Sequence, residues 1–458
     1  MSASTLNASL ARPRTCKVNF MQTNGRLFAP WPLWVILFLI FIPTFSAPAQ
    51  EIADTIRVRT RVVFMDALVK DKRTGIPISD LKTENFEVFD DGRPRAISYF
   101  TREGQARKPL AMVIILDCRE DGAGRFLKRP EVLKAMTDEL AKLPPRDEVG
   151  VMAMNFGEDE KRVWLTHFTN DRVQLAAALS RIPAFVERPE AQSAETEKAN
   201  KDKQSKESVT AGSDSAPKKS EEKTEGPAQK NPNPEDIVST ETIKGKNGAT
   251  VTRTVLKDGS VNIKRVNSSG HVTIELDEPY DMAAAVREAS RTAQDERPNS
   301  QTSIVWVSDG IAPIFYEDRD ATEQILIRSN AIFSSLTVDL RALFKFLLPF
   351  GRPIANWMGV SLYGSARHLA QQSGGEAVRV NRVSDYGSGL AKIIGNLTAR
   401  YSLGFALAEQ EKDDGRMHEL ALRVKALDVK GKTRKLEVSS RRGYYTPKAE
   451  SEQTTANK

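Results

Sequence analysis

The amino-acid sequence predicts an α/β fold, a doubly wound and mainly parallel sheet, joined to an accessory β-sandwich-like unit made from the strands that flank it in the chain. Three observations predict it. Two apolar runs, Met112 to Leu116 and Ser303 to Val307, lead into the aspartates Asp117 and Asp309, as a buried parallel strand does when it delivers a carboxylate to the carboxyl edge of a sheet. Strand-like and helix-like stretches alternate around them. The segments Thr55 to Phe100 and Tyr401 to Tyr445 instead carry the period-two alternation of half-buried antiparallel strands. Ligands of open α/β sheets sit at the carboxyl edge, so the two aspartates point to recognition more than to catalysis.

The first 49 residues read as a secretory signal. Leu33 to Phe45 is a short apolar core, preceded by Arg12, Arg14, Lys17 and Arg26 and followed by Ala47-Pro48-Ala49. The run falls short of the roughly 20 residues that span a bilayer, so cleavage is expected, and membrane contact would come only through an uncleaved segment. A start at Met21 would give a more ordinary signal length. The mature chain keeps Cys118, loses Cys16 and has no internal disulfide. Its expected place is the periplasm, the cell envelope or the medium.

Composition excludes several classes. With 458 residues, 40% hydrophobic and 28% charged, the chain has material for two or three domains and is neither wholly disordered nor a polytopic membrane protein. The net charge of +7 is spread among intermingled acids and bases, without the compact basic stripe of a nucleic-acid binder. No Cys/His zinc spacing occurs. Gly431-Lys432-Thr433 resembles the end of a phosphate loop, but Ala426 stands where its first glycine belongs, so no nucleotide is expected. There is no G-x-S-x-G elbow. Arg119 beside Cys118 could lower the thiol pKa, yet a strand-end cysteine reads more simply as a packed small residue. His167, His271, His368 and His418 have no partner at meaningful spacing and read as solvated or packed. No enzyme is expected, and no acid/base pair is visible.

In chain order, residues 55–108 read as a small antiparallel β unit with turns at Lys72 to Gly75 and Asp90-Asp91-Gly92. Residues 109–400 form the α/β domain. After its strand at Leu110 to Leu116 comes a helix near Glu131 to Leu143, whose Val132, Leu133, Met136 and Leu140 share a face. A strand at Glu148 to Asn155, a short strand at Lys161 to Leu165 and a helix at Asp171 to Ile182 follow. Residues 187–235 are almost all polar and are expected to be disordered. Residues 240–276 return to alternation, with turns at Lys246-Asn247-Gly248, Asp258-Gly259 and Ser268-Ser269-Gly270, and predict two or three inserted hairpin strands. Helices at Tyr280 to Thr292, Ala321 to Ser329, Ser361 to Gln372 and Asp385 to Arg400 then alternate with strands at Ser303 to Val307, Ala331 to Val338 and Ala377 to Val380. Strands at Tyr401 to Leu407, His418 to Ala426 and Arg434 to Val438 end the pattern. These C-terminal strands, within 401–447, are expected to pair with the N-terminal unit, and residues 448–458 to fray.

Several strings taken together resemble a known family. They are Ser79-Asp80-Leu81, Asn85 to Gly92, Leu116-Asp117, Val307-Ser308-Asp309-Gly310, Leu369 to Gly375, Tyr401 to Phe405 and Arg441 to Tyr445. The ordered set resembles the secreted von Willebrand factor A-related proteins abundant in Acidobacteria. The resemblance implies a von Willebrand factor A domain whose edge often holds a divalent cation such as Mg²⁺, with D-x-S-x-S on the first strand, a loop Thr and a later Asp. Asp117 and Asp309 match that pattern, while Arg119 and Asp121 replace the two serines, and Leu276-Asp277-Glu278-Pro279 stands where relatives tend to have Gly-Gly-Thr. A guanidinium beside two carboxylates supplies the neutralisation a cation would. An internal ion pair from Arg119 to Asp309 or Asp117 is therefore expected, with no cofactor. The alternatives are a divalent cation such as Mg²⁺ in a degenerate site of Asp117, Asp121, Asp277 and Asp309, or a displaced cation held by Asp121, Asp277 and Glu278. The function that follows is an exported, non-enzymatic, adhesion-type module for a protein partner, with a degenerate metal-ion-dependent adhesion site. An envelope scaffold with an idle edge is the alternative.

Overall fold

The computed structural model describes residues 61–102, 107–119, 124–154, 162–183, 234–257, 261–277, 282–310, 314–338, 359–361, 364–380, 382–408, 411, 413–428 and 430–447. The expected signal segment, nearly all of the charged stretch 187–235, the C-terminal tail, Asp121 and Glu278 lie outside those residues.

A six-stranded sheet forms the centre. Its order across the sheet is Ala377–Val380, Ile332–Val338, Gln301–Ser308, Leu110–Asp117, Glu148–Met154, Arg162–Thr169. The first five are parallel, and only Arg162–Thr169 runs antiparallel, against Glu148–Met154. This last strand is longer than the Lys161 to Leu165 segment expected, because its alternating continuation to Thr169 also pairs.

Leu110–Asp117 is buried at every position. Alternate residues serve opposite faces, as the pleat requires. Met112, Ile114 and Leu116 pack with the helices Pro130–Leu140, Arg172–Ser180 and Tyr386–Thr398. Ala111, Val113 and Ile115 pack with Met282–Glu296, Tyr316–Arg328 and Ser365–Ser373. Helices thus cover both faces, and the sheet is doubly wound. The chain runs outward from Leu110–Asp117 on one side, then returns to its other side at Gln301–Ser308 and runs outward again. The crevice between these two strands is a topological switch point, where such folds place ligands. At the end of Ser365–Ser373, Gly374 adopts φ 81°, the left-handed conformation in which helices commonly stop.

The flanking segments build two antiparallel four-stranded sheets. In one, Leu436–Ser440, Val62–Asp71, Tyr401–Ala406 and Tyr99–Thr101 lie side by side; in the other, Gly443–Tyr445, Met417–Val424, Phe86–Asp90 and Arg93–Arg95. Both sheets contribute to one core, with Met65, Phe86, Val88, Leu403, Phe405, Leu420 and Tyr444 buried together, so the unit is a β-sandwich. The N-terminal flank is not self-contained. Its long strand Val62–Asp71 pairs with two C-terminal strands, and within the flank the paired strands are the hairpin across Asp90-Asp91-Gly92. The Tyr401 hydroxyl pins this arrangement by donating to the Ile78 carbonyl at 2.8 Å and accepting from the Leu81 amide at 3.1 Å.

The insertion contains four strands where two or three were expected. Ile237–Lys244, Thr250–Leu256, Val261–Val266 and Val272–Asp277 form an antiparallel meander. The first strand escaped notice because it is exposed at nearly every position and has no apolar face to announce it. Buried ion pairs join the meander to the helix Tyr316–Arg328. Arg253 bonds Asp318 through two contacts of 2.6 and 2.8 Å, and Arg265 bonds Glu317 at 2.9 and 3.1 Å. Among the described residues no helix is long and apolar enough to cross a membrane.

Candidate functional site: a carboxylate edge closed by arginine

Asp117 is the last residue of its strand and Asp309 directly follows its neighbour. The strand register places Leu116 beside Val307, which brings Asp117 level with Ser308 and within one residue of Asp309. The two carboxylates therefore meet because the strands are in this register. Both are buried, Asp117 fully and Asp309 to within 3%.

Arg119 folds back from the strand end onto both. Its Nε lies 3.0 Å from Asp117 Oδ1, and its Nη2 lies 2.9 Å from Asp117 Oδ2 and 3.1 Å from Asp309 Oδ1. The main-chain N–H of Arg119 also donates to Asp117 Oδ1, at 3.3 Å. Such two-pronged, charge-assisted contacts are the strong class of hydrogen bond. The guanidinium is only 18% exposed, so water screens it little.

Two residues that sequence reasoning missed complete this edge. The Ser308 hydroxyl donates to Asp117 Oδ2 at 2.7 Å, with Asp309 Oδ1 at 3.3 Å. The buried Tyr386 hydroxyl donates to the Ser308 carbonyl at 3.3 Å. Burial, reinforced by the charges of Asp309 and Asp117, pushes the Tyr386 pKa up, so the phenol stays a donor. Ser308 lies in Val307-Ser308-Asp309-Gly310, and setting the two apolar runs side by side brings it level with Asp117. Tyr386 offered no such signal.

The family resemblance implies a divalent cation here, and the donor set can be tested against it. Hard cations need free carboxylate oxygens. Both Asp117 oxygens and Asp309 Oδ1 are engaged by a guanidinium, and Ser308 directs its hydrogen at Asp117. This arrangement does not fit a cation while Arg119 holds its place. Asp277 ends the last strand of the meander, and its main chain alone is described. The displaced-cation alternative thus falls mostly on residues outside the description.

Cys118, between Asp117 and Arg119, is buried, and burial followed by the Asp117 charge pushes its thiol pKa up. The lowering expected from Arg119 does not prevail, because desolvation penalises the buried thiolate.

Three of the four histidines have acidic partners. His167 meets Glu296 at 2.9 Å, His368 meets Glu323 at 2.7 Å and His418 meets Asp91 at 2.9 Å. These partners are distant in sequence, so spacing could not reveal them. His418, Asp90 and Asp91 stand close enough to share a metal ion, although Asp90 Oδ2 already accepts from Arg95 and Tyr444.

No known family profile matches the sequence, and no curated protein matches it. Solved structures give distant likenesses. The SpRpn10 VWA domain is 9% identical, with a TM-score of 0.28, over 61% of this chain and 93% of that one. The pilus adhesin SpaC from Lactobacillus rhamnosus GG, in its open conformation, is 7% identical, with a TM-score of 0.30, over 79% of this chain and 48% of the adhesin. The chain thus spans about half the adhesin's length. The architecture described above stands on its own strand order and register.

Proposed function

We propose that the chain is an exported, non-catalytic protein-interaction module of the von Willebrand factor A type, in which an internal guanidinium replaces the cation at the recognition edge. The observation that carries this reading is Arg119 bonded to Asp117 and Asp309 together. A metal-dependent edge offers its cation to a partner's carboxylate; here the positive charge is spent within the chain. The partner is therefore a protein met by the side chains and loops around the switch point, and it binds without added metal. No cofactor takes part.

The test is capture of partners from an envelope extract by the full chain, with and without EDTA. Capture that resists EDTA and is lost in Asp309→Asn supports the proposal. Capture abolished by EDTA in the wild type contradicts it. A scaffold role has its own supporting observation: the outer strand Ile237–Lys244 is an exposed edge, with Val238 63% exposed, and unpaired strand edges recruit other chains. Capture lost in Val238→Asp but kept in Asp309→Asn would favour that role.

A further inference from the structure

In the β-sandwich, the hairpin turn at Asp91-Gly92 meets the C-terminal strand Met417–Val424. That strand lies between Phe86–Asp90 and Gly443–Tyr445, with Leu420 opposite Asp90 and His418 opposite Tyr444. His418 and Leu420 share a face of the pleat, the one that packs Leu420 into the core. The His418 ring accordingly stacks on Tyr444, with centroids 5.0 Å apart. The turn is fixed beside it: the Asp91 N–H donates to the Glu419 carbonyl at 2.9 Å, and Asp91 Oδ1 accepts from the Glu419 N–H at 2.8 Å.

His418 stands between two acids. Its Nδ1 lies 2.9 Å from Asp91 Oδ2, and its Nε2 lies 3.4 Å from Asp414 Oδ1. A neutral imidazole carries one N–H, so either tautomer turns a bare lone pair toward a carboxylate. A further positive centre, a proton or a metal ion, is what lets the ring face both. Asp90 decides between the two. It is only 2% exposed, and its Oδ2 accepts from Arg95 at 2.7 and 3.0 Å and from the Tyr444 hydroxyl at 3.2 Å. Its Oδ1 is buried and has no hydrogen-bond partner among the described residues, a costly state for a carboxylate oxygen. Protonating His418 leaves that oxygen as it is, whereas an ion shared by the three residues satisfies it. Asp90, Asp91 and His418 each offer a ligand atom within 4.8 Å of the other two, so one point lies within about 2.8 Å of all three. Side-chain movements of about 0.7 Å close this to the roughly 2.0–2.2 Å of zinc bonds to nitrogen and oxygen. A gap of that size excludes water, so burial of Asp90 Oδ1 is what a closed metal site shows.

We propose that Asp90 Oδ1, Asp91 Oδ2 and His418 Nδ1 bind Zn²⁺. An imidazole among the ligands favours zinc over Mg²⁺ or Ca²⁺, which take oxygen. The supporting shell that metal ligands need is in place: Arg95 and Tyr444 hold the other Asp90 oxygen, and Nε2–H faces Asp414. Three protein ligands leave a fourth tetrahedral position for water, on the side of the half-exposed Asp91. The ion ties the N-terminal hairpin to a strand 327 positions away. None of these residues belongs to the Asp117 and Asp309 edge, so the site stands whatever that edge binds.

Titration calorimetry of the full chain, stripped with EDTA and dialysed, with ZnCl2 and MgCl2 tests the proposal. Saturable binding of one Zn²⁺ per chain is expected, with Mg²⁺ much weaker. Tm should rise by about 5 °C or more at a hundredfold excess over Kd. His418→Gln should weaken Zn²⁺ about ten-fold or more, since even supporting groups are worth that much. Asp91→Asn should do the same, and the turn at φ 47° tolerates it, because asparagine adopts left-handed backbone readily. Asp309→Ala should leave the binding unchanged. The proposal is overturned if the folded wild type shows no saturable Zn²⁺ site, if Mg²⁺ binds as tightly, or if folded His418→Gln binds unchanged. Should His418→Gln fail to fold, unchanged binding in Asp91→Asn overturns it instead.

Discussion

Arg119→Ser removes the charge that holds Asp117 and Asp309 together, and its cost can be worked from the contacts. The substitution deletes contacts of 3.0 and 2.9 Å to Asp117 and of 3.1 Å to Asp309. It leaves two carboxylates, exposed by 0% and 2%, facing each other without that counter-charge. Removing one partner of a buried ion pair costs about 3–5 kcal/mol. At roughly 2–4 °C per kcal/mol for a domain of this size, Tm should fall by about 10 °C in EDTA at neutral pH. Arg119→Lys should recover only part, since an ammonium cannot fork. Differential scanning calorimetry of the three proteins reads this directly. A Tm within about 1 °C of wild type for Arg119→Ser would refute the reasoning, because surface substitutions away from any such feature stay within about 0.5 kcal/mol.

Three further perturbations probe the rest of the fold. Tyr401→Phe leaves the Ile78 carbonyl and the Leu81 amide without the hydroxyl they share, and urea unfolding should show a loss of about 1–3 kcal/mol; a change below about 0.5 kcal/mol would mean water takes its place. Asp318→Asn strips the charge from the Arg253 pair, with Arg287 also only 3.9 Å away, and should destabilise by about 3–5 kcal/mol, measured by the same unfolding. Glu317 supplies a pH dependence: burial pushes its carboxyl up, but Arg265, with the Glu317 main-chain N–H and Asn247, more than offsets this, and its pKa lies below the usual 4.5. A lowered carboxyl pKa stabilises fully above the unfolded value and loses that contribution as pH falls through the folded one. Hydrogen exchange in residues 261–277 should therefore accelerate below about pH 4.5, and Glu317→Gln should remove that response; equal acceleration in both proteins would contradict it.

The central strands could be read from sequence because burial on both faces leaves an unbroken apolar run, and Asp117 and Asp309 could be located because each follows such a run. Arg119 stands two residues past the strand end, close enough for its reach to Asp117 to be anticipated. What lies between strands was harder to see. Ser308 matters only through the register that sets it level with Asp117, and Tyr386 only through a helix packed beneath that edge. The first helical turn at Tyr316 was missed because Glu317 and Asp318 are polar and break the apolar period. Those two acids are the ones that draw Arg253 and Arg265 into the interior. On an isolated hairpin the same arginines look like a solvated face. His418 finds Asp91 only when the C-terminal strand aligns against the N-terminal hairpin, a contact across 327 positions of sequence. Non-local pairing of this kind leaves no periodic trace in the chain.

The measurement that bears most directly on a guanidinium in place of the cation is titration with Mn²⁺, followed by its paramagnetic resonance, on wild type, Asp309→Ala, Arg119→Ser and Arg119→Ser with Asp309→Ala. No saturable site is expected in the wild type at this edge. Arg119→Ser, which frees the carboxylates and creates an Asp-x-Ser sequence, should gain a site that the added Asp309→Ala removes. Saturable binding by the wild type that disappears in Asp309→Ala would contradict that expectation, because Asp309 would then be holding a cation where the guanidinium is proposed to act.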